Sequence, residues 1–329
     1  MKFEPMVETL LAARPAIAVS VVVPVYDEAA SLGELAERLH AVLGERTGGD
    51  FEILFVDDGS RDGSWGAIEE AHRRYPDTVR ALRHRRNFGK AAALANGFAA
   101  ARGKMIVTMD ADLQDQPEEI PKLLDAMDAE GADVVSGWKK NRRDPLDKTL
   151  PSRVFNALTG ALSGLRLHDF NCGFKVYRAE CAKGLRLYGE LHRFIPVLAH
   201  AEGYRVVEVP VEHAARTHGK SKYGSTRMVK GFIDLLSVFI LTRYLRRPGH
   251  FFGGLGLLSG LTGFTILAYL SAMKLFWSMG GIGTRPLFFL GILLALLGVQ
   301  LFSIGILGEL IIKTASRSPH SAALRERIG

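Results

Sequence analysis

MIVTMDADLQD, residues Met105–Asp115, passes from an apolar run to three carboxylates within a few positions. The apolar half has the length of a short strand, and an uninterrupted apolar run is typical of a strand buried on both faces. Asp110, Asp112 and Asp115 then crowd at the carboxyl end of that strand, where like charges repel one another. The stretch therefore predicts a buried strand that ends in a functional group of acids.

Two of these acids have the spacing of a cation clamp. Alternation along an extended chain predicts that Asp110 and Asp112 point to the same side, with the Gln114 carbonyl as a third oxygen. Such oxygens are the ligands of hard divalent cations, so the spacing predicts a metal clamp for a phosphorylated ligand. The alternative is an acidic turn that caps a helix beginning near Pro117, since D-x-D is a very short motif.

The chain around this stretch alternates strands with helices. Apolar, β-branched runs predict strands at residues 19–26, 51–56, 79–82, 105–109 and 133–136. Helical spacing predicts helices at residues 31–43, where Ser31 is the start, and at 62–75, 90–101 and 117–130. This alternation implies parallel pairing with right-handed crossovers, and hence an α/β fold with a doubly wound, mainly parallel sheet.

Acids end three of the predicted strands, at Asp27/Glu28, Asp57/Asp58 and Asp110/Asp112. Open parallel sheets bind their ligands at the carboxyl ends of the strands, so these acids predict one shared site. The sequence has no G-x-G-x-x-G after the first strand and no G-x-x-x-x-G-K-[ST]. A dinucleotide-dependent dehydrogenase and a P-loop hydrolase are therefore disfavoured.

The carboxyl-terminal third contains two uncharged runs, residues 251–273 and 287–308. Each has about 22 residues, close to the ~20 that cross the hydrocarbon core as a helix, which predicts two membrane spans. Basic residues are more frequent outside the two runs than in the loop between them, which places both termini in the cytoplasm. The charged first thirty residues do not resemble a signal peptide, so the amino-terminal domain is expected to be cytoplasmic.

Composition agrees with a membrane-bound protein. The chain is 47% hydrophobic and carries a formal net charge of +7. A bilayer with anionic lipids explains this charge as well as nucleic acid would, and the two spans favour the bilayer. Cys172 and Cys181 lie apart from any C-x-x-C motif or His/Cys cluster, so both are predicted to be free thiols.

Several segments complete the predicted domain plan. A mixed apolar and basic helical pattern at 226–243 predicts an interfacial helix on the bilayer surface, with a core helix as the alternative. Small faces for helix packing, which would also suit a homo-oligomer, are offered by Gly253, Gly254, Gly256, Gly260 and Gly263. The plan is an amino-terminal arm at 1–18, a soluble domain at 19–225, an interfacial helix at 226–247, two membrane helices at 248–313 and a cytoplasmic tail at 314–329.

Four motifs follow one another in the order of a known family. They are VVVPVYDE at residues 21–28, VDDGSRDGS at 56–64, RNFGKAAAL at 86–94 and DADLQDQPEEIP at 110–121. In this order they resemble the motifs of family 2 glycosyltransferases with the GT-A fold. HDFNCGFKVYR at 168–178, HGKSKYG at 218–224 and the two spans resemble the polyprenyl-phosphate glycosyltransferase subgroup, which is similar to dolichol-phosphate mannose synthase and bacterial undecaprenyl-phosphate sugar transferases.

The resemblance implies a donor site. By the family pattern the nucleoside and diphosphate lie near Pro24, Tyr26, Glu28, Asp57, Asp58 and Lys90. Asp110, Asp112 and Gln114 match the metal-binding positions for Mg²⁺ or Mn²⁺, and the two acids are catalytic in this interpretation. The alternatives are a strand-ending turn at Asp57–Ser60 and a solvated side chain at Lys90.

The resemblance also implies an acceptor site. The acceptor phosphate is expected to meet Arg153, Arg178, Arg216 and Lys220, of which the last two are also interpreted as catalytic. The basic run Lys139–Arg143 contributes to this site or forms a solvated face. Because a phosphate monoester is already anionic at neutral pH, no catalytic base is required.

The function that the resemblance implies is inverting transfer of a sugar from a nucleotide diphosphate sugar to a polyprenyl phosphate, at the cytoplasmic face of a bacterial inner or plasma membrane. The rival activities are transfer to another lipid acceptor and polysaccharide synthesis. The synthase is disfavoured because two spans can scarcely enclose a polymer channel and no Q-x-x-R-W motif is present. The alternative of another class is a catalytically silent nucleotide-binding membrane scaffold.

Overall fold

The structure is a computed structural model that describes residues 17–140, 156–214, 248–277, 281, 283, 285–314 and 324–328. The described residues fall into two compact units, one of residues 17–214 with 324–328 and one of residues 248–314. The predicted interfacial helix at 226–247 and nearly all of the predicted arm lie outside the described residues. The predicted domain boundaries therefore stay predictions.

A mixed sheet organises the first unit. Its strands are β1 Ile17–Val25, β2 Phe51–Asp57, β3 Val79–His84, β4 Gly103–Thr108, β5 Val134–Lys139, β6 Lys175–Arg178, β7 Val206–Val211 and β8 Leu324–Ile328. The strand order is β7-β5-β6-β4-β1-β2-β3-β8, in which β6 and β8 run antiparallel to their neighbours. The α/β fold with a mainly parallel sheet that the sequence predicted is therefore confirmed.

Helices connect the strands of this sheet. They are α1 Ala29–Thr47, α2 Ser64–Arg74, α3 Lys90–Ala100, α4 Ile120–Glu130, α5 Ala179–Gly184 and α6 Ile195–Ala201. The helix α1 begins before the predicted start at Ser31, and the carboxylate of Asp62 accepts the Ala29 N–H at 3.1 Å from the neighbouring loop. The Ser31 hydroxyl instead donates to the Ala111 carbonyl at 2.6 Å, which ties α1 to the segment after β4.

Two apolar layers cover the two faces of the sheet. Because successive residues of a strand point to opposite faces, Val21 and Val23 of β1 pack in the layer that contains α1, α2 and α4. Val22 faces the other layer, which contains α3, α5 and α6. A Cβ at Gly97 of α3 would overlap the Val22 side chain, so this helix lies directly on β1. The contact fixes the start of α3 at the carboxyl ends of the strands.

A buried ionic group closes the amino end of the sheet. Glu52 is fully buried and accepts hydrogen bonds from the Ser20 hydroxyl at 2.6 Å and from the Arg102 N–H at 2.7 Å. The same carboxylate forms ion pairs with the guanidinium groups of Arg80 and Arg102. We call Ser20, Glu52, Arg80 and Arg102 the base cluster. Its carboxylate is satisfied entirely from within the protein, as a buried charge requires.

The second unit is a pair of long helices, α7 Pro248–Trp277 and α8 Pro286–Thr314. Glycines bring their backbones together: a Cβ at Gly256 would lie 2.7 Å from the Gly298 carbonyl, and one at Gly263 would lie 2.5 Å from the Ala295 nitrogen. This is the close approach of small residues that is typical of membrane helix pairs. Most of the predicted small face therefore packs within the chain, although Gly254 has no neighbour within 4 Å.

Both helices are long and apolar enough to cross a membrane. Their most apolar windows have mean hydropathies of 1.6 and 2.5, and only 17% and 11% of those windows is buried. A core helix of a soluble protein would be mostly buried, whereas these expose large apolar side chains such as Phe264 and Leu293. The chain therefore has the character of a membrane protein, as the two predicted spans require.

The segment predicted to be a cytoplasmic tail, residues 314–329, contains a strand that the sequence did not predict. Leu324–Ile328 forms β8 and pairs with β3 in antiparallel register, with Ala81 opposite Ile328. The segment adds to an edge that would otherwise present unpaired N–H and C=O groups. A five-residue strand with alternating charges gave no sequence signal, because such a pattern is equally typical of a solvated tail.

Candidate functional site

The carboxyl ends of β1, β2, β3 and β4 form one edge of the sheet, which we call the rim. β1 lies between β2 and β4, and β2 lies beside β3, so the loops after these strands are neighbours. Helices start at this edge and point their free N–H groups toward it. The rim is therefore the place where an anionic ligand would bind.

The loops after β1 and β2 are fastened to each other at the rim. The Asp27 N–H donates to the Ser60 hydroxyl at 3.0 Å, and the Arg61 N–H donates to the Asp27 carboxylate at 2.8 Å. Asp27 adopts a φ of 51°, a left-handed conformation that Asp tolerates better than most residues. The side chain of Asp27 therefore shapes this part of the rim.

The side chains predicted to hold the nucleoside border these fastened loops. Pro24, Tyr26 and Glu28 are half-buried around the end of β1, and the Glu28 N–H donates to the Ser64 hydroxyl at 2.9 Å. Their predicted contacts with a nucleoside stay predictions. The end of β1 therefore presents the Tyr26 ring, which can pack on a base, and the Glu28 carboxylate, which can accept a hydrogen bond from a hydroxyl.

Asp57 is the fully buried last residue of β2. One of its carboxylate oxygens accepts the Ser60 N–H at 2.9 Å, and the other lies 3.4 Å from Nε of Arg83. The Arg83 guanidinium also stacks over the Trp65 ring at 4.9 Å. The described contacts of Asp57 therefore hold the turn at Ser60, which is the structural alternative that the sequence left open beside the nucleoside prediction.

Asp58 is buried and uses both of its carboxylate oxygens. Oδ1 accepts from Nδ1 of His84 at 2.7 Å and from the Phe88 N–H at 2.8 Å, while Oδ2 accepts from the Gly89 N–H at 2.8 Å. These contacts fix the loop that leads from β3 into α3. The predicted contact of Asp58 with the nucleoside stays a prediction.

Lys90 and Asp110 form an ion pair at the centre of the rim. Lys90 is the first residue of α3, and its ammonium donates to the Asp110 carboxylate just beyond β4. The Asp110 side chain is 36% exposed, so the carboxylate remains open to a ligand. Burial of the Asp110 carboxylate raises its pKa. The positive charge and hydrogen bond of Lys90 lower the pKa, and the lowering effects together are larger, so the pKa lies below its ordinary value. Asp110 is therefore an anion at neutral pH.

The predicted geometry of the cation clamp needs correction. β4 ends at Thr108, and the chain turns at residues 111–113, with Leu113 at a φ of 60°. The alternation of an extended strand therefore does not continue from Asp110 to Asp112. The Asp112 carboxylate is buried within the turn and accepts the Gln114 N–H at 3.2 Å. Asp110 and Asp112 therefore lie at a turn rather than along a strand, and the short D-x-D motif does not distinguish these two conformations.

The chemistry of these donors fits a divalent cation that is completed by a ligand. Within the described residues, no three His, Cys, Asp or Glu side chains come together as a ready-made cation site. Mg²⁺ commonly binds through one or two carboxylates together with substrate phosphates, so Asp110 and Asp112 suffice for that mode. The prediction that Asp110, Asp112 and Gln114 bind Mg²⁺ or Mn²⁺ stays a prediction.

A second charged group lies beside the clamp. Asp115 is buried, 2.9 Å from the Lys139 ammonium and 3.4 Å from Nδ1 of His213. Burial opposes ionisation of both Asp115 and Lys139, but their mutual attraction lowers the pKa of Asp115 and raises that of Lys139. Lys139 is therefore not part of a solvated face, because its side chain is only 10% exposed.

This second group connects the clamp to the segment that follows β7. Asp115 and His213 form an antiparallel bridge, and the Ala214 N–H donates to the Gln114 carbonyl at 2.9 Å. The backbone carbonyl of Gln114 thus already accepts one hydrogen bond, and the side-chain amide supplies a second oxygen that could bind a cation. The chain beyond Ala214 contains the predicted acceptor residues Arg216 and Lys220, which lie outside the described residues, as does Arg153.

Arg178 lies away from the rim. β6 runs antiparallel to β4, so Arg178 at its end pairs with Met105 near the amino end of β4. Its guanidinium donates to the Ala132 carbonyl at 3.2 Å and lies 3.6 Å from the Asp133 carboxylate. At about 3.3 Å per residue, Met105 is roughly 10 Å from the end of β4. The structure therefore places Arg178 away from the rim because of the direction of β6, which the motif could not reveal, and its predicted contact with the acceptor phosphate stays a prediction.

Two basic side chains near the rim, the half-buried His192 and the buried Lys175, were missed from the sequence. Burial lowers the pKa of His192 to about 3, helped by the nearby Lys90 charge, so its imidazole is neutral. Burial also lowers the pKa of Lys175, whose ammonium donates to the Cys172 carbonyl. Lys175 lies within the quoted motif HDFNCGFKVYR, but the motif does not indicate its burial, and His192 lies in no quoted motif. Cys172 and Cys181 are buried free thiols, as predicted.

The match to known families agrees with the fold and the rim. Residues 20–185, about half of the 329-residue chain, match Glycosyl transferase family 2. The chain belongs to this family, and its enzymatic class is glycosyltransferase. The family assignment that the ordered motifs implied is confirmed, and so is the GT-A type of sheet.

Individual relatives cover most of the chain. It is 42% identical over 305 residues to dodecaprenyl-phosphate galacturonate synthase from Rhizobium johnstonii, which spans 92% of this chain and 90% of the relative. It is 38% identical over 293 residues to undecaprenyl-phosphate 4-deoxy-4-formamido-L-arabinose transferase from Pseudomonas paraeruginosa, which spans 88% and 84%. Both relatives carry a polyprenyl phosphate in their names.

A solved structure shares the fold at low sequence identity. It is glucosyl-3-phosphoglycerate synthase from Mycobacterium tuberculosis in complex with Mn²⁺ and uridine-diphosphate-glucose. The two structures superimpose with a TM-score of 0.51 at 18% identity, over 69% of this chain and 79% of that one. This likeness shows that the two proteins share the architecture of the first unit.

Proposed function

We propose that this protein transfers a sugar, with inversion, from a nucleotide diphosphate sugar to the phosphate of a polyprenyl lipid. The observation that carries the proposal is the Lys90–Asp110 pair at the rim, where a cation and an open carboxylate meet beside the start of α3. A diphosphate and its cation need such a pair of opposite charges. The named relatives, which act on dodecaprenyl and undecaprenyl phosphates, support the lipid acceptor.

On the donor side, Pro24, Tyr26, Glu28 and Asp57 border the nucleoside in this proposal, and Lys90 meets the diphosphate. Asp110 and Asp112, with the Gln114 side chain, hold Mg²⁺ or Mn²⁺. The bound ion supplies neutralisation of the charge that develops on the leaving nucleotide. The solved structure with Mn²⁺ and a nucleotide sugar supports a metal of this kind for the fold.

On the acceptor side, Arg153, Arg216 and Lys220 meet the lipid phosphate in this proposal, and Arg178 is left out because of its position. The acceptor oxygen is already anionic near neutral pH, so the main task of these cations is to bring two anions together. The bridge between Asp115 and His213 ties the segment that precedes these residues in the sequence to the clamp, which supports the assignment of Arg216 and Lys220. His192, Lys139 and Lys175 need no role in proton transfer.

The membrane supplies the acceptor. We propose that α7 and α8 cross the bilayer with both chain termini in the cytoplasm, and that residues 226–247 lie on its surface. A water-soluble donor and a membrane-bound acceptor meet only at such an interface. A homo-oligomer remains part of the proposal, although the glycines first assigned to it serve largely to pack α7 on α8.

The test is release of the nucleotide by purified protein in detergent, with Mg²⁺ or Mn²⁺ and a panel of nucleotide sugars. Each reaction is run with undecaprenyl phosphate, with diacylglycerol, or with no acceptor, and the product is identified by its mass. The proposal expects a lipid-linked sugar phosphodiester only with undecaprenyl phosphate. A glycosylated diacylglycerol would favour the rival acceptor, and nucleotide binding without turnover for any donor would favour the silent scaffold.

A further inference from the structure

The loop before α3 has exposed side chains but a firmly held backbone. Residues 85–88 are exposed at the rim. The N–H groups of Phe88 and Gly89 nevertheless both donate to the Asp58 carboxylate at 2.8 Å. Gly59, at a φ of 74°, lies so close to the Arg86 backbone that any Cβ would overlap it. Since Lys90 follows directly, this loop determines where its ammonium lies.

Two buried side chains stand behind the Asp58 carboxylate. His84, the last residue of β3, donates from Nδ1 to Asp58 at 2.7 Å, and Asn96 of α3 donates from Nδ2 to Nε2 of His84 at 2.8 Å. His84, Asp58 and Asn96 are 1%, 3% and 7% exposed. With the Asn96 amide donating to Nε2, the imidazole donates to Asp58 through Nδ1 and so links the helix to the loop.

These contacts form a closed circuit around the loop. Asn96 lies in the same helix that Lys90 begins, so α3 is joined through His84 and Asp58 back to its own first turn. Buried hydrogen bonds in a connected network strengthen one another and fix a single arrangement. A loop that is exposed on its outer side and pinned by a network beneath it is preorganised for a ligand on that outer side.

We propose that Asn96, His84 and Asp58 are positioning residues that hold Lys90 in the direction from which it meets the donor diphosphate. This rests on the proposed function, in which Lys90 contacts the donor. The three residues act on Lys90 through the loop, and for Asp58 this role comes in addition to the nucleoside contact that the family resemblance predicted. Residues that orient a ligand-binding group in this way typically contribute about ten- to a hundredfold to affinity or activity.

The test compares substitutions that break the network with one that preserves its central link. His84→Leu removes both hydrogen bonds of the imidazole at similar volume, and Asn96→Leu removes one from the helix side. His84→Asn retains an N–H donor near the position of Nδ1. Ser20→Ala is the matched control, because Ser20 is equally buried and hydrogen-bonded but belongs to the base cluster.

Three readouts are taken on the full chain in detergent. They are amide exchange of the peptide that covers residues 85–90, the affinity for UDP and for GDP with Mn²⁺, and the KM and kcat of transfer. His84→Leu and Asn96→Leu are expected to speed exchange at residues 88 and 89 by about tenfold or more and to weaken nucleotide diphosphate binding by about tenfold. His84→Asn should restore most of both, while Ser20→Ala should lower only the melting temperature.

Two results would overturn the proposal. The first is unchanged exchange at residues 88 and 89 in His84→Leu and Asn96→Leu. The second is an equal loss of affinity in Ser20→Ala, which would mean a merely structural effect. Wild-type protein that binds nucleotide diphosphate but transfers no sugar would instead reject the proposed function, and amide exchange together with affinity would still decide the role of the network.

Discussion

The base cluster and the rim place acidic groups at opposite ends of the same sheet, and the two ends differ in how the carboxylates are satisfied. At the base, Glu52 is fully buried and takes all of its partners from Ser20, Arg80 and Arg102. At the rim, Asp110 keeps a side chain that is 36% exposed and pairs with a single lysine in the described contacts. The carboxylate of the base cluster has all its partners within the protein, whereas the Asp110 carboxylate at the rim can still accept a cation or a ligand.

The difference shows that an acid at a strand end is not by itself a ligand. Asp27, Asp57 and Asp58 also lie at the rim, yet their carboxylates hold neighbouring backbone N–H groups. These bonds support the loops of the rim, but they do not fill the roughly four acceptor sites of a carboxylate, so the three acids can still meet a ligand. Asp110 differs because its partner is a flexible ammonium, which can turn to an incoming phosphate.

The largest effect is expected at the open end. Asp112→Ala should lower the rate of sugar transfer by about a thousandfold or more, which is about 4 kcal/mol of barrier, because a clamp with one carboxylate no longer holds the cation. The melting temperature should change little. Steady-state kinetics at several Mg²⁺ and Mn²⁺ concentrations measure the loss.

The control for this prediction is Asp128→Ala, which removes an exposed acid from α4. It should leave both rate and stability near the wild-type values. Near-normal turnover of Asp112→Ala at saturating Mg²⁺ would reject the metal role of Asp112 and with it the contrast between the two ends.

At the closed end a substitution should affect stability rather than activity. Glu52→Gln leaves two guanidinium groups without their buried counter-charge, which typically costs about 3 kcal/mol of folding free energy. Thermal unfolding in detergent measures the loss, and turnover at low temperature should stay near normal for the folded fraction. Glu34→Gln is the control, because Glu34 forms an exposed ion pair with Arg38 whose loss should cost less than about 0.5 kcal/mol.

The fold was largely predictable because its signals are local. The β-branched run at Val19–Val25 and the helical spacing after it each specify an element without help from distant residues. The direction of β6 and the addition of β8 were not predictable, since each depends on which strand lies beside it in space. That is why the motif did not reveal that Arg178 lies near the amino end of β4, away from the rim.

The site was predictable as a set of residues but not as a geometry. Asp110 and Lys90 belong to separate motifs, and the structure brings them together at the rim. The alternation assumed for Asp110 and Asp112 fails because β4 ends at Thr108 and the chain turns at residues 111–113, and the short D-x-D motif does not predict that turn. Lys139, Lys175 and His192 are distinguished by burial alone, which periodicity does not report.

A smaller effect should come from the packing beneath Asp110. A Cβ at Gly173 would lie 3.1 Å from both Asp110 carboxylate oxygens, so Gly173→Ala should push the carboxylate aside by a few tenths of an ångström. Misplacement on that scale should lower turnover by about five- to tenfold with little change in stability. Gly33→Ala is the control, because nothing lies within 4 Å of its Cβ position. Equal kinetics for the two variants would mean that the rim tolerates the shift.

The smallest effect is the pH dependence of the folding free energy that Glu52 of the base cluster contributes. Burial alone would raise the pKa of Glu52, but the Ser20 hydroxyl, the Arg80 charge and the Arg102 N–H together lower it below the ordinary value of 4.5. A lowered pKa means that the ionised carboxylate stabilises the fold fully above about pH 4.5, and that this stabilisation is lost as the pH falls toward the lower pKa of the folded state.

The Glu52→Gln variant has no carboxylate at this position, so it has no such stabilisation to lose at low pH. The stability gap between wild type and Glu52→Gln should therefore narrow below about pH 4.5, by at most about 1.4 kcal/mol per pH unit, since a single group is involved. The other carboxylates titrate in both proteins and cancel in the difference. Thermal unfolding of both proteins from pH 7 to pH 3.5 measures the gap, and a gap that stays constant over this range would show that Glu52 is not the stabilising anion of the base cluster.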